Sequence, residues 1–239
     1  MFKIAYGAGH NDETGNGIPE CLHKPFMNEW RLNDRIARYF AEAASLYEEV
    51  ELLRVDDPKG KAPIDLKERC DDANKWGADF FLSIHHNAGI NGGSGGGLVA
   101  FCRKAGTEAA RYRDAIYESC LASGGIRGDR WDATQEKGFY VLTNTNMPAV
   151  LMEYGFMDSV TDVPIILTEE YAKAMAYATM EGIAKVAGLK KKTANEIDVE
   201  YRVITKPVKN MADAILAKEK LETAGYNSFI VASKVYYEV

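Results

Sequence analysis

Phe80-Phe81-Leu82-Ser83-Ile84-His85-His86-Asn87-Ala88 is a short apolar run that ends on two imidazoles. Its length and its aromatic and aliphatic content suit a buried strand. A buried strand does not tolerate isolated polar groups unless they are paired or bound to a metal. A second run, Pro148-Ala149-Val150-Leu151-Met152-Glu153-Tyr154-Gly155-Phe156, repeats the pattern and ends on a carboxylate. Two strands that each deliver an ionisable side chain to their end imply a site built beyond a sheet edge.

The flanking sequence supplies the rest of that sheet. Phe2–Tyr6 reads as a strand opening into a glycine-rich polar loop over 7–17. Leu32, Ile36, Tyr39, Phe40 and Ala43 recur at helical spacing within 28–44. Further strands are predicted at 49–55, 79–85, 98–101, 139–142 and 149–153, and further helices at 64–76, 106–121 and 168–187. The last helix has Thr168 as its N-cap and Gly188 just past its end. Strands alternating with helices predict an α/β fold, a mostly parallel twisted sheet with helices on both faces. Ligands of such sheets bind beyond strand C-termini, where His10, His85 and Glu153 all fall.

Residues 1–189 make one domain on this reading. The polar stretch 190–197 is a linker, and 198–239 is a small βαβ-type unit with strands at 201–205 and 228–232 around a helix at 211–224. A unit of that size buries little on its own and calls for a partner surface.

Composition excludes several classes. The 239 residues are 46% hydrophobic and 27% charged, which is ordinary for a globular protein. A net charge of -6 argues against nucleic acid as a partner, and no stretch approaches the roughly 20 apolar residues of a membrane helix. The N-terminus meets glycine too early for a signal peptide. Cys21, Cys70, Cys102 and Cys120 are widely spaced and read as reduced thiols.

Only four histidines occur, His10, His23, His85 and His86. His10, Glu29 and His85 are candidate metal ligands, because two imidazoles and a carboxylate suit a three-ligand Zn²⁺ site with one open position. Glu29 projects to the same helix face as Leu32, Ile36 and Phe40, where a carboxylate needs a partner; its other reading is a first-turn acid facing the helix dipole. Neighbouring strand residues point to opposite faces, so only one of His85 and His86 can face the site. His23, between two prolines, reads as a loop residue. Glu153 is a candidate proton-transfer group, since partial desolvation raises a carboxyl pKa toward the working range; a structural acid paired with a cation is the competing reading.

These residues fall in blocks. Gly9-His10, Glu29 with Asn33, Leu53-Arg54 with Asp56 and Asp57, Arg69 with Ala73-Asn74, Ser83-Ile84-His85-x-Asn87-Ala88 and Pro148-Ala149-Val150-Leu151-x-Glu153-x-Gly155-Phe156 resemble, in order, the zinc-dependent N-acetylmuramoyl-L-alanine amidases of the amidase_3 type. The resemblance spans residues 3–187. It implies one Zn²⁺ on His10, Glu29 and His85, Glu153 as the catalytic glutamate, and His86 as the variable residue. It departs at Asn11-Asp12-Glu13 and across 125–137, where Arg127, Arg130 and Trp131 match no block. The C-terminal unit resembles half of a sporulation-related repeat, so wall binding or pairing with a second copy as a homodimer is expected of it.

The function implied is peptidoglycan hydrolysis at the amide between N-acetylmuramic acid and L-alanine. Without a leader, a phage or prophage endolysin is expected, cytoplasmic until released onto the wall. The competing readings are a bacterial autolysin, a zinc carboxypeptidase-like peptidase and a non-catalytic wall-binding protein.

Overall fold

The computed structural model describes residues 1–12 and 27–193. His23 and the C-terminal unit lie outside the described residues, as does the linker beyond Thr193. The described chain runs β1 (Phe2–Ala8), α1 (Glu29–Ala44), β2 (Val50–Arg54), α2 (Leu66–Trp76), β3 (Phe80–Asn87), β4 (Leu98–Cys102), α3 (Glu108–Ala122), β5 (Thr134–Glu136), α4 (Tyr140–Thr143), β6 (Ala149–Phe156), α5 (Val163–Ile166) and α6 (Glu169–Ala187).

The strands form one sheet in the order β2-β1-β3-β6-β4-β5. The first four are parallel. β4 runs antiparallel to β6, and β5 follows β4. The expected mostly parallel sheet is therefore present, with a reversed pair at one edge.

Side-chain alternation sorts the sheet into two faces. Ile4, Tyr6, Phe80, Leu82, Ile84, Val150, Met152 and Tyr154 pack with α1, α3 and α6 in the larger core. Ala5, Phe81, Val99, Leu151 and Ala149 pack on the other face with Cys70 and Ala73 of α2 and Val141 and Leu142 of α4. Burying a side chain such as Phe40 or Ile36 stabilises by about 1.5–3 kcal/mol, so the apolar stripe of α1 fixes its rotation on the sheet.

Local signals set the helix ends. Asn28 Oδ1 accepts from Arg31 N at 3.1 Å, Asp65 caps α2, and Thr168 caps α6 as expected. Gly188 takes the left-handed conformation that stops α6. The strand predicted at 139–142 is instead the single helical turn α4. Val141 and Leu142 bury together there, while the Thr143 hydroxyl and the Asn144 amide bond back to Tyr140 O at 3.1 and 2.9 Å. A four-residue apolar run does not distinguish the two periods. The strand of this region is the polar Thr134–Glu136, which pairs with β4 at the edge. β1 continues through Gly7 and Ala8, beyond the expected start of the loop, because both pair with β3.

Candidate metal centre

Three elements converge at the C-terminal end of the parallel strands. His10 follows β1, Glu29 is the first residue of α1, and His85 lies near the end of β3. One ligand atom of each lies within 4.8 Å of the others. His10 Nε2 is 3.0 Å from Glu29 Oε2, and His85 Nδ1 is 3.0 Å from Glu29 Oε1. The two imidazoles meet edge to face, 5.3 Å between centroids. Among the described residues no other group of three His, Cys, Asp or Glu side chains is placed to hold a metal ion.

The backbone is shaped for this. His10 has φ 64°, a left-handed conformation that turns the chain sharply off β1. Gly9 packs against the His85 ring so closely that a Cβ there would fall inside it, so only glycine lets the two imidazoles approach. Arg69, buried in α2, donates to Ala8 O at 2.6 Å, His10 O at 3.0 Å and Ile64 O at 3.0 Å. It satisfies carbonyls that the turn would otherwise strand. From the other side, Arg54 grips Asp56 with two 2.8 Å bonds, and Asp56 Oδ1 accepts Ala8 N at 3.1 Å.

Glu29 is braced from behind. Asn33, one turn along α1 and fully buried, donates through Nδ2 to Glu29 Oε1 at 3.3 Å and to Gly9 O at 3.2 Å. That leaves its Oδ1 to accept from His86 Nδ1–H at 2.8 Å, and His86 N also donates to Glu29 Oε1 at 3.2 Å. His85 and His86 therefore divide as strand alternation requires: His85 faces the site and His86 the larger core. Burial pushes the His86 pKa down to about 3, so this ring is neutral. For Glu29, burial opposes the charge, but the bonds from His10 and His85 outweigh it and hold the carboxyl well below its usual range. The bond to Glu29 raises the pKa of His10.

Glu153 stands beside His85, its register partner on β6. Its Oε2 is buried with no hydrogen-bond partner. Burial, reinforced by the charge of Glu29, raises its pKa well above the usual carboxylate value. Among the described residues no Lys or Arg acts on its charge. Behind it, Tyr154 OH bonds Thr179 Oγ1 at 2.8 Å and Tyr171 OH donates to Tyr154 O at 3.0 Å, tying β6 to α6.

His10, His85 and Glu153 line one cleft of about 540 Å³, with Ile64, Leu66, Arg69, Phe139, Tyr140 and Val141 along its walls. Leu66, Phe139 and Tyr140 are partly exposed apolar side chains at this mouth. Arg69 and Asn33 stood in the quoted sequence blocks without a role. The i, i+4 spacing from Glu29 to Asn33 was the available sign of contact.

Fold and site together define an α/β protein whose sheet end presents two imidazoles and a carboxylate able to hold a metal ion, beside an acid kept protonatable by burial. Residues 4–185 match the family model described as N-acetylmuramoyl-L-alanine amidase, and the chain belongs to that family. It is similar to the sporulation-specific N-acetylmuramoyl-L-alanine amidase of Bacillus subtilis, 30% identical over 238 residues that cover 97% of this chain and 85% of that one. Similarity to N-acetylmuramoyl-L-alanine amidase CwlM of Bacillus licheniformis is 32% over 235 residues, with the same coverages. The endolysin of Bacillus phage SPP1 is 33% identical over 134 residues, covering 54% of this chain and 48% of that protein. Among solved structures, the catalytic domain of the amidase CwlV from Bacillus (Paenibacillus) polymyxa shares the fold with a TM-score of 0.68 at 21% identity, covering 80% of this chain and all of that one.

Proposed function

We propose that this chain hydrolyses the amide joining the lactyl group of N-acetylmuramic acid to the L-alanine of the stem peptide, with His10, Glu29 and His85 holding one Zn²⁺ and Glu153 moving the proton. The observation that carries this reading is the convergence of those three donors within 4.8 Å beside a buried carboxyl whose Oε2 has no partner. Two neutral imidazole nitrogens and a carboxylate oxygen are the donor set a catalytic Zn²⁺ accepts. When bound, the ion supplies Lewis-acid polarisation of a carbonyl and acidifies a water.

The remaining work falls to the protein. Glu153 Oε2 takes a proton from the attacking water and gives it to the leaving nitrogen, and burial raises its pKa above the usual carboxylate range, which strengthens it as a base. Asn33 and the His86 amide fix the Glu29 carboxylate, and Arg69 holds the turn that aims His10. The partly apolar cleft beside α2 and α4 receives the substrate around the scissile bond.

Residues 1–189 form the catalytic domain in this reading, with 190–197 as linker and 198–239 attaching the enzyme to the wall. Among the described residues no helix is long and apolar enough to cross a membrane. The biological setting has two readings. Similarity to a phage endolysin favours a lysin, and similarity along nearly the whole chain to a sporulation-specific enzyme favours a bacterial wall amidase.

Labelling new amino termini released from purified peptidoglycan tests the chemistry. Release should appear with the native protein, vanish with a chelator and return with Zn²⁺. Free C-terminal amino acids would instead identify a carboxypeptidase, and binding without release a wall-binding protein.

A further inference from the structure

The sheet end that carries the site also carries a feature that the amide chemistry leaves unused. Trp131 is 95% exposed, the highest value of any large apolar side chain among the described residues. An indole left in water forgoes the burial that ordinarily places it, yet the backbone around it is held. Leu98 N donates to Ile126 O and Ala100 N to Ala133 O, both at 2.8 Å, pinning the segment to β4 at each end. Gly96 N donates to Asp129 Oδ1 at 3.0 Å, and Gly128 packs onto Gly96 with no room for a Cβ. Arg130 lays its guanidinium over the Phe156 ring, 4.7 Å from the centroid. A fixed loop thus presents one aromatic face wholly to solvent.

Sheet register locates that face. Val99 pairs with Glu153 and Ala100 with Thr134. The segment entering β5 at Thr134 therefore stands two strands, roughly 10 Å, to the side of Glu153. It lies at the sheet end that carries His10, Glu29 and His85. Phe156 is three residues past Glu153 on the same strand, so Arg130 touches the strand that carries Glu153.

We propose that Trp131 and Arg130 form a glycan subsite. The indole stacks on the C–H face of a sugar in the strand whose stem peptide is cut, since the negative face of an aromatic ring attracts polarised hydrogens. Arg130 offers its guanidinium N–H groups to lactyl or acetamido oxygens of the same strand. The inference rests on the peptidoglycan reading above, because the glycan is joined to the scissile amide and has to run past this end of the sheet.

The test uses full-length protein carrying Glu153→Gln and, as probe, peptide-free glycan strands. The chain has three tryptophans; Trp30 is buried and Trp76 half-buried, so emission from exposed indole reports on Trp131. Glycan should shift that emission, and calorimetry should show binding weakened roughly tenfold by Trp131→Ala, about one stacking contact, with most of it recovered in Trp131→Tyr. Emission of exposed indole left unmoved by saturating glycan would overturn the subsite, whatever binding residues 198–239 add. So would an emission shift produced by soluble stem peptide or a protein partner but not by glycan. Release of amino termini from sacculi by the native chain, measured alongside, reports separately on the amidase reading.

Discussion

His85 and Glu153 are register partners on adjacent parallel strands and point to the same face of the sheet. The proposed metal ligand and the proposed proton carrier are thus held by backbone hydrogen bonding, not by loops. Strand pairing fixes their relative position, and catalysis is sensitive to misplacement of about 1 Å. The two should be separable by mutation, because each can be altered without moving the other strand.

Glu153→Gln keeps the shape and removes the proton acceptor. Metal content should stay at the native level while the rate of amide cleavage falls by roughly 10²–10⁴, the usual contribution of a positioned acid–base group. Metal analysis beside an amino-terminus assay checks both. Native turnover by the Gln variant would remove Glu153 from its role.

His85→Ala should lose metal and activity together, and Gly9→Ala should do the same without touching a ligand, because its Cβ would occupy the His85 ring. Equilibrium dialysis against Zn²⁺ measures this directly. A Gly9→Ala protein that binds zinc like the native chain would show that the imidazoles can part without cost.

Asn33→Ala should weaken zinc affinity by about 10–100-fold, the range seen when a partner of a metal ligand is removed. It frees Glu29 Oε1 of one donor and strands the buried Nδ1–H of His86. Competition with a fluorescent chelator, read alongside the urea midpoint of the metal-free protein, separates affinity from stability. Loss of stability with unchanged affinity would reduce Asn33 to a packing residue.

Alkaline pH should destabilise the fold through Cys120. Burial pushes this thiol up to about 12, from 9.0 in its ordinary state. The native state then holds a proton that the unfolded chain releases, so the stabilisation is complete below about pH 9 and is lost as pH rises toward 12. Urea midpoints between pH 8 and 10.5 should fall more steeply for the native chain than for Cys120→Ala. In the folded state the thiol should also resist alkylation at pH 8.5.

Much of this was legible in the sequence, for reasons that differ between residues. The runs at 80–88 and 148–156 announced β3 and β6 because their polar ends contradict their apolar bodies. Thr168 and Gly188 marked the ends of α6 through local chemistry alone. Alternation said that one of His85 and His86 faces the site, but the choice needs the strand's register against β1 and β6. β5 escaped notice because Thr134–Glu136 is polar and owes its existence to pairing with β4. α4 was misread because its two buried residues satisfy a helix and a strand equally. Nor does sequence reveal that β4 and β5 reverse direction, which depends on how the glycine-rich loop at 89–97 returns the chain.

Tyr154 has one further consequence. It follows Glu153, faces the opposite layer, and is anchored by Thr179 and Tyr171 of α6. The proposed proton carrier is thereby mounted on a beam bolted down from the far side. Engineering that loosens the rear wall to gain expression or solubility would detune the front without altering a single residue a substrate touches, and thermal tolerance and turnover would have to be optimised as one variable.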